Sequence, residues 1–149
     1  MSKEIMTIGI AADHAGYELK ETVIAHLKAK GYAVTNFGTD STDSCDYPDY
    51  AHPLAQAVCD GSVDRGISIC GSGNGISMVL NKYDGVRAAL CWDDELVALA
   101  RQHNDANVLS LPARFISRDK GLEMVDIFLL TDFEGGRHQR RVDKIAPQR

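Results

Sequence analysis

The chain has no long hydrophobic run. No stretch approaches the roughly 20 apolar residues needed to cross a bilayer. The opening MSKEIMTIGIAAD leads into a strand pattern instead of the apolar core of a signal peptide. A cytoplasmic protein is therefore expected. Cys-x-x-Cys pairs are also missing: Cys45, Cys59, Cys70 and Cys91 show no such spacing. That argues against a zinc site or a redox pair, and a reducing compartment leaves such thiols free. Positive charge is not in excess. The net charge of −5 argues against a general nucleic-acid binder. No internal repeat or low-complexity tract breaks the sequence. What remains is one expected domain over residues 1–149, with an ordinary hydrophobic content of 44% and enough chain for a real core.

The charge is unevenly spread. Arg137, Arg140, Arg141, Lys144 and Arg149 face a single acid, Asp143, at the carboxyl end. A basic end on an acidic chain suggests a local anionic partner, with a solvated tail as the plain alternative.

Strand and helix patterns alternate along the chain. Residues 4–12 run apolar into Asp13 and His14. Leu19, Val23, Ile24 and Leu27 then fall at helical spacing, and Gly31 stops that helix. A short strand is expected over 32–37, a polar loop over 38–48 ending at Pro48, and a helix over 51–59 with Pro53 in its first turn. Further strands are expected at 66–69, 86–91 and 108–111. Helices are expected to about residue 81, over 95–103, over 118–130 and over 138–145. Alternation of this kind implies a parallel sheet in a three-layer α/β/α sandwich. Sites in such folds lie outside the carboxyl ends of the strands, which places Asp13, His14, Cys70 and Asp93 on that edge.

The richest stretch is residues 66–79, GISICGSGNGISMV. A buried strand runs into Cys70, and Gly71, Gly73 and Gly75 let the backbone turn with its amides unobstructed. A helix starts at about residue 74, so those amides lie at its positive end. Such a setting favours thiolate at Cys70. The stretch is no Walker loop, since Gly-Lys-Ser/Thr does not follow, and the third glycine comes one residue early for G-x-G-x-x-G. Asp93, about twenty residues on, keeps a dinucleotide reading open. A helix N-cap acid is the preferred reading of that residue.

The histidines are scattered. His14 and His103 stand at element ends without a metal-ligand partner close in sequence, while His26 and His52 fall within helical patterns and read as surface residues. His103 opens the polar cluster His103-Asn104-Asp105 just before a strand, which points to acid/base work. Arg137 and Arg141 stand four apart on one helix face, a spacing that suits a phosphate gripped by two guanidinium groups.

Five motifs, Asp13-His14-Ala15-Gly16, Asp46-Tyr47-Pro48, Cys70-Gly71-Ser72-Gly73-Asn74-Gly75, Arg101-Gln102-His103-Asn104-Asp105 and Glu134-Gly135-Gly136-Arg137-His138, occur in this order over nearly the whole chain. Together they resemble the B-type ribose-5-phosphate isomerases, which belong with the galactose-6-phosphate isomerase subunits. The resemblance implies a five-stranded parallel Rossmann-like sheet with a C-terminal helical extension. It implies interconversion of ribose 5-phosphate and ribulose 5-phosphate in the non-oxidative pentose phosphate pathway, through ring opening and a cis-enediolate. Cysteine at 70 matches the branch with a thiolate base; the glutamate of the other branch has no counterpart in Gly75-Ile76-Ser77.

The implied roles follow residue by residue. Cys70 moves the proton between C2 and C1, Ser72 helps move one between O1 and O2, and His103 opens the furanose ring. The amides of residues 71–75, including Gly71, Gly73, Asn74 and Gly75, hold the enediolate oxygen. Asp13, His14, Tyr47 and Asn104 hold hydroxyls. Arg137 and Arg141 hold the phosphate, with His14, His138 or Arg114 as further candidates. No cofactor or metal is expected, and no ligand spacing is read as a metal site. The family is a homodimer or a dimer of dimers whose sites are shared between chains. A six-carbon substrate, allose 6-phosphate or galactose 6-phosphate, is the alternative within this chemistry. A nucleotide- or phosphate-sensing module with an inert Cys70 is the alternative outside it.

Overall fold

Ile8, Ile10, Ala11 and Ala12 are fully buried, so β1 (Thr7–Ala12) is covered on both faces. That is the condition of a central parallel strand. In the computed structural model, residues 5–148 are described. Glu4, the first residue of the expected strand, and Arg149 of the basic end lie outside them. After β1 come α1 (Tyr17–Ala29), β2 (Ala33–Asn36), α2 (Tyr47–Asp60), β3 (Arg65–Cys70), α3 (Asn74–Leu80), β4 (Ala88–Leu90), α4 (Asp94–Asn104), β5 (Val108–Pro112), α5 (Arg118–Leu130) and α6 (Arg137–Val142).

The five strands are all parallel, in the order β2-β1-β3-β5-β4. Strand alternation splits the core into two layers. Ile8, Ile10, Ile67, Ile69, Leu109 and Leu111 pack with Val23 of α1, Val97 of α4 and Val125 and Phe128 of α5. On the other face Ala11 and Val108 pack with Leu54 and Ala55 of α2 and Ile76 and Leu80 of α3. The expected three-layer sandwich is therefore present. β1 leads to β2 on one side while β3 lies on the other, so the chain diverges between the carboxyl ends of β1 and β3. Asp13 and Cys70 stand at those two ends, the position where such sheets open a crevice.

The element at residues 47–60 differs from the sequence reading. α2 begins at Tyr47, not residue 51, and Pro48 lies in its first turn instead of closing the loop. Proline fits there because its missing N–H is one that no helical carbonyl would take. Pro53 consequently falls inside the helix and not in its first turn. The helix continues because Ala51, Leu54 and Ala55, all fully buried, anchor both sides of the proline to the core. The shift puts Tyr47 on a helix end beside the crevice. β4 is shorter than expected, and α6 ends at Val142 instead of residue 145. No helix of the described residues is long and apolar enough to cross a membrane.

Candidate active site

β3 ends at Cys70, which is 4% exposed. The chain then turns through Gly73, whose φ of +78° is a conformation that favours glycine. This turn aims the Gly73 N–H at Cys70 Sγ, 3.1 Å away, and the Asn74 N–H at Ser72 Oγ, 3.2 Å away. Ser72 accepts through its oxygen, so its own O–H is left to donate elsewhere. Two of the five amides expected to face a ligand are thus already engaged. Among the described residues no hydrogen bond is made by the N–H of Gly71, Ser72 or Gly75. Those three are the available donors.

Tyr47 and Arg114 border this turn. A Cβ built on Gly75 would lie 2.5 Å from Tyr47 Cζ, so the missing side chain makes room for that ring. A Cβ on Gly71 would lie 3.0 Å from Arg114 Nη1, which places the guanidinium beside the motif. A cavity of about 590 Å³ opens next to Tyr47 and is also lined by Asp13, His14, Cys45 and Asp46. Ser72 and Asn74 line a second hollow of about 420 Å³ with Leu90, Trp92 and Phe115.

Asp13 is buried and has a structural duty. Its Oδ1 accepts the N–H groups of Ala15 and Gly16, at 3.0 and 3.2 Å, which satisfies amides at the entry to α1. Its Oδ2 makes no such bond, and the residue lines the cavity. His14 receives the Cys45 backbone N–H on Nδ1 at 3.2 Å. A ring that accepts at Nδ1 carries its proton on Nε2, so His14 offers an N–H donor. Cys45 was missed as a site residue in the sequence because its contribution is a backbone amide. Its Sγ also lies 3.8 Å from His14 Nδ1.

The other expected residues lie elsewhere in the chain. His103 and Asn104 end α4, and α6 packs against that end with Arg137, His138 and Arg141. The His103 and His138 rings stack, with centroids 4.2 Å apart and planes 12° apart. His138 is buried, and that burial, with His103 and then Arg137 beside it, lowers its pKa below the usual imidazole value. Glu134 opposes the shift from 3.5 Å. Arg137, Arg141 and Asn104 are exposed. One ligand-type atom from each of His103, Glu134 and His138 lies within 4.8 Å of the other two, a convergence not visible in the sequence spacing. The sequence hid it because His103 comes from a different element.

These two groups do not meet within one chain. α4 starts beyond the carboxyl end of β4 and its 11 residues span about 16 Å, returning the chain to the amino end of β5. Cys70 and His103 therefore stand at opposite edges of the sheet. Position bears on two further residues. Asp93 is the N-cap residue of α4, though its side chain makes no capping bond. Cys91 is a core thiol, its pKa pushed up to about 12 by burial. Of the two histidines read as surface residues, His52 is exposed, and the half-buried His26 bonds Asp126 at 2.8 Å.

Residues 8–145 match the family model described as Ribose/Galactose Isomerase. The chain is 45% identical over 139 residues to ribose-5-phosphate isomerase B of Escherichia coli, covering 93% of each chain. It is 49% identical over 140 residues to the probable ribose-5-phosphate isomerase B of Mycoplasma genitalium, covering 93% of this chain and 92% of that one. The structure superposes on a ribose 5-phosphate isomerase of Thermotoga maritima with a TM-score of 0.95 at 47% identity, over 97% of this chain and 100% of that one. It also matches the Mycoplasma genitalium enzyme solved with bound ribulose-5-phosphate, with a TM-score of 0.91 at 45% identity, over 96% of both chains. The parallel sheet, the Cys70 turn at its switch point and these likenesses together place the chain in the ribose/galactose isomerase family.

Proposed function

We propose that this chain is an aldose–ketose isomerase that interconverts D-ribose 5-phosphate and D-ribulose 5-phosphate, a step of the non-oxidative pentose phosphate pathway in the cytoplasm. The observation that carries the proposal is Cys70. Its sulfur sits at the sheet's switch point, held by the Gly73 amide and bordered by the open amides of Gly71, Ser72 and Gly75.

Moving a carbonyl between C1 and C2 requires a proton to leave carbon next to a carbonyl. Cys70, as thiolate, takes it from one carbon and returns it to the other. Negative charge then builds on an enediolate oxygen. The amides of Gly71, Ser72 and Gly75 stabilise it; losing one such donor costs about 10²–10³ in rate. The Ser72 hydroxyl, whose oxygen is pinned by Asn74, moves a proton between O1 and O2. Tyr47, Asp13 through Oδ2, and His14 through Nε2–H hold the sugar hydroxyls.

Ring opening falls to His103, with Asn104 beside it, and the phosphate to Arg137 and Arg141, with His138 near. Since these residues occupy the opposite edge of the sheet, a complete site needs a second copy of the chain. A homodimer, or a dimer of dimers, that sets the α4–α6 corner of one chain against the Cys70 turn of its partner supplies both halves. Arg114 is the guanidinium already at the Cys70 edge and takes a supporting place toward the phosphate. Anchoring the phosphate far from the reacting carbons lets its binding energy orient C1 and C2. The whole chain acts as one sugar-phosphate isomerase domain.

Purified chain incubated separately with ribose 5-phosphate, allose 6-phosphate and galactose 6-phosphate, with ketose formation followed, tests this reading. Turnover highest with ribose 5-phosphate is expected. Preference for a six-carbon phosphate would overturn the substrate, and no turnover of any would overturn the activity.

A further inference from the structure

One buried charge has no part in the isomerase chemistry. The Lys20 side chain, on α1, is 0% exposed. Its Nζ donates to Glu21 Oε2 at 2.7 Å and to Asn36 Oδ1 at 3.0 Å. It also lies 5.3 Å from the centre of the Tyr17 ring. Taking an ammonium out of water is costly, and a buried ion pair often stabilises a fold no better than apolar residues of similar size. Stability therefore gives no reason for a lysine at this place.

The bond to Asn36 leads toward the cavity. Asn36 ends β2, and the same Oδ1 accepts the Gly38 N–H at 2.9 Å. An amide oxygen has two lone pairs, so both bonds form at once. Gly38 is buried with φ at +99°, and a Cβ on it would stand 2.9 Å from the Tyr50 ring. The turn is closely confined. Its Gly38 carbonyl accepts the Ala12 N–H, and its Thr39 N–H donates to the Ala12 carbonyl, both at 2.8 Å. Ala12 ends β1, and Asp13 and His14 follow directly. Beyond Thr39 the chain runs on to Cys45, whose N–H holds His14, and to Tyr47. The turn at 38–39 thus anchors both segments that line the cavity of about 590 Å³.

We propose that Lys20 is a positioning residue: through Asn36 it fixes the turn at 38–39 against the end of β1, and so sets Asp13 and His14 for the sugar. The clamp itself stands on these bonds alone. Its effect on turnover rests on the isomerase reading, in which Asp13 and His14 hold hydroxyls. A loosened strand end lets those groups drift, and small misplacements cost rate without loss of the fold.

Lys20→Met keeps an apolar stem and removes the charge. Asn36→Ala removes the shared acceptor at an exposed position, and Asn36→Asp restores it. Lys20→Met and Asn36→Ala are expected to melt within about 4 °C of the natural chain. Their Ala12, Gly38 and Thr39 amides are expected to exchange in deuterium oxide at least about tenfold faster. Their kcat/KM is expected to fall at least about fivefold, and Asn36→Asp to return it to within about twofold of the natural value. The inhibition constant of inorganic phosphate, which the isomerase reading gives to Arg137 and Arg141, is expected to stay unchanged in all three. Should Lys20→Met fail to fold, the two Asn36 variants decide alone. Unchanged kcat/KM, or a loss that Asn36→Asp does not restore, overturns the positioning role. So does a loss matched by weaker phosphate inhibition. Unchanged amide exchange overturns the clamp. A natural chain without turnover defeats the isomerase reading instead, and amide exchange still decides the clamp.

Discussion

Gly75→Ala separates the site from the fold. The new Cβ would stand 2.5 Å from Tyr47 Cζ and 2.8 Å from both Cε1 and the hydroxyl oxygen. No real contact is that short, so something must move. Tyr47 is 37% exposed, whereas the α3 backbone is anchored by the fully buried Ile76 and Leu80. The ring yields. Overpacking a core costs about 1–3 kcal/mol, and a ring that swings into solvent falls at the lower end. Replacing a helical glycine with alanine returns roughly 0.5–1 kcal/mol. The two nearly cancel, so the melting temperature is expected to move by less than about 4 °C. Function is expected to suffer more. Loss of the Tyr47 contact to a sugar hydroxyl removes one hydrogen bond, about 0.5–1.5 kcal/mol, or roughly 2- to 13-fold in kcat/KM. Steady-state kinetics with a thermal melt measure both. Unchanged kcat/KM would refute the placing of Tyr47 in the site. A drop in melting temperature beyond about 6 °C would mean that the backbone had moved and not the ring.

Two further outcomes follow from the α4–α6 corner. Arg137→Ala removes one of two proposed charged grips on the phosphate and is expected to raise KM at least about tenfold with kcat less affected, since a charge-assisted hydrogen bond contributes roughly 1.5–3 kcal/mol; an unchanged KM would remove Arg137 from the phosphate site. The lowered pKa of His138 makes the unfolded chain take up that proton first, so stability tied to neutral His138 is full above about pH 6.5 and is lost as pH falls through its lower folded value. Melting temperatures from pH 7.5 down to 5.5 are expected to fall more steeply in the natural chain than in His138→Gln, and parallel curves would contradict the assignment.

Much of this was legible in the residues. The apolar run into Asp13 marks β1, and Leu19, Val23 and Leu27 mark α1, because burial imposes the strand and helix periods directly. The glycines after Cys70 announced a turn, and its candidacy as a site followed from its place at a strand's carboxyl end. Pro48 misled because proline both ends loops and starts helices, and only the packing of Ala51 and Leu54 shows which. The strand order was not readable: that β5 inserts between β3 and β4 depends on how α4 crosses back, which no local pattern records. The His103–His138 stack and the Cys45 amide on His14 were equally hidden, since each joins residues distant in sequence. Nor could the sequence reveal that the Gly73 and Asn74 amides close on Sγ and Oγ, which narrows the proposed oxyanion donors to three.

The central claim is that Cys70 carries the proton between C1 and C2. Turnover of ribose 5-phosphate in deuterium oxide, with the products read by NMR, tests it most directly. The natural chain is expected to place solvent deuterium at C1 of ribulose 5-phosphate and at C2 of the returned aldose. Folded Cys70→Ala is expected to bind the sugar phosphate and place none. Deuterium appearing with Cys70→Ala at the natural rate would contradict the claim.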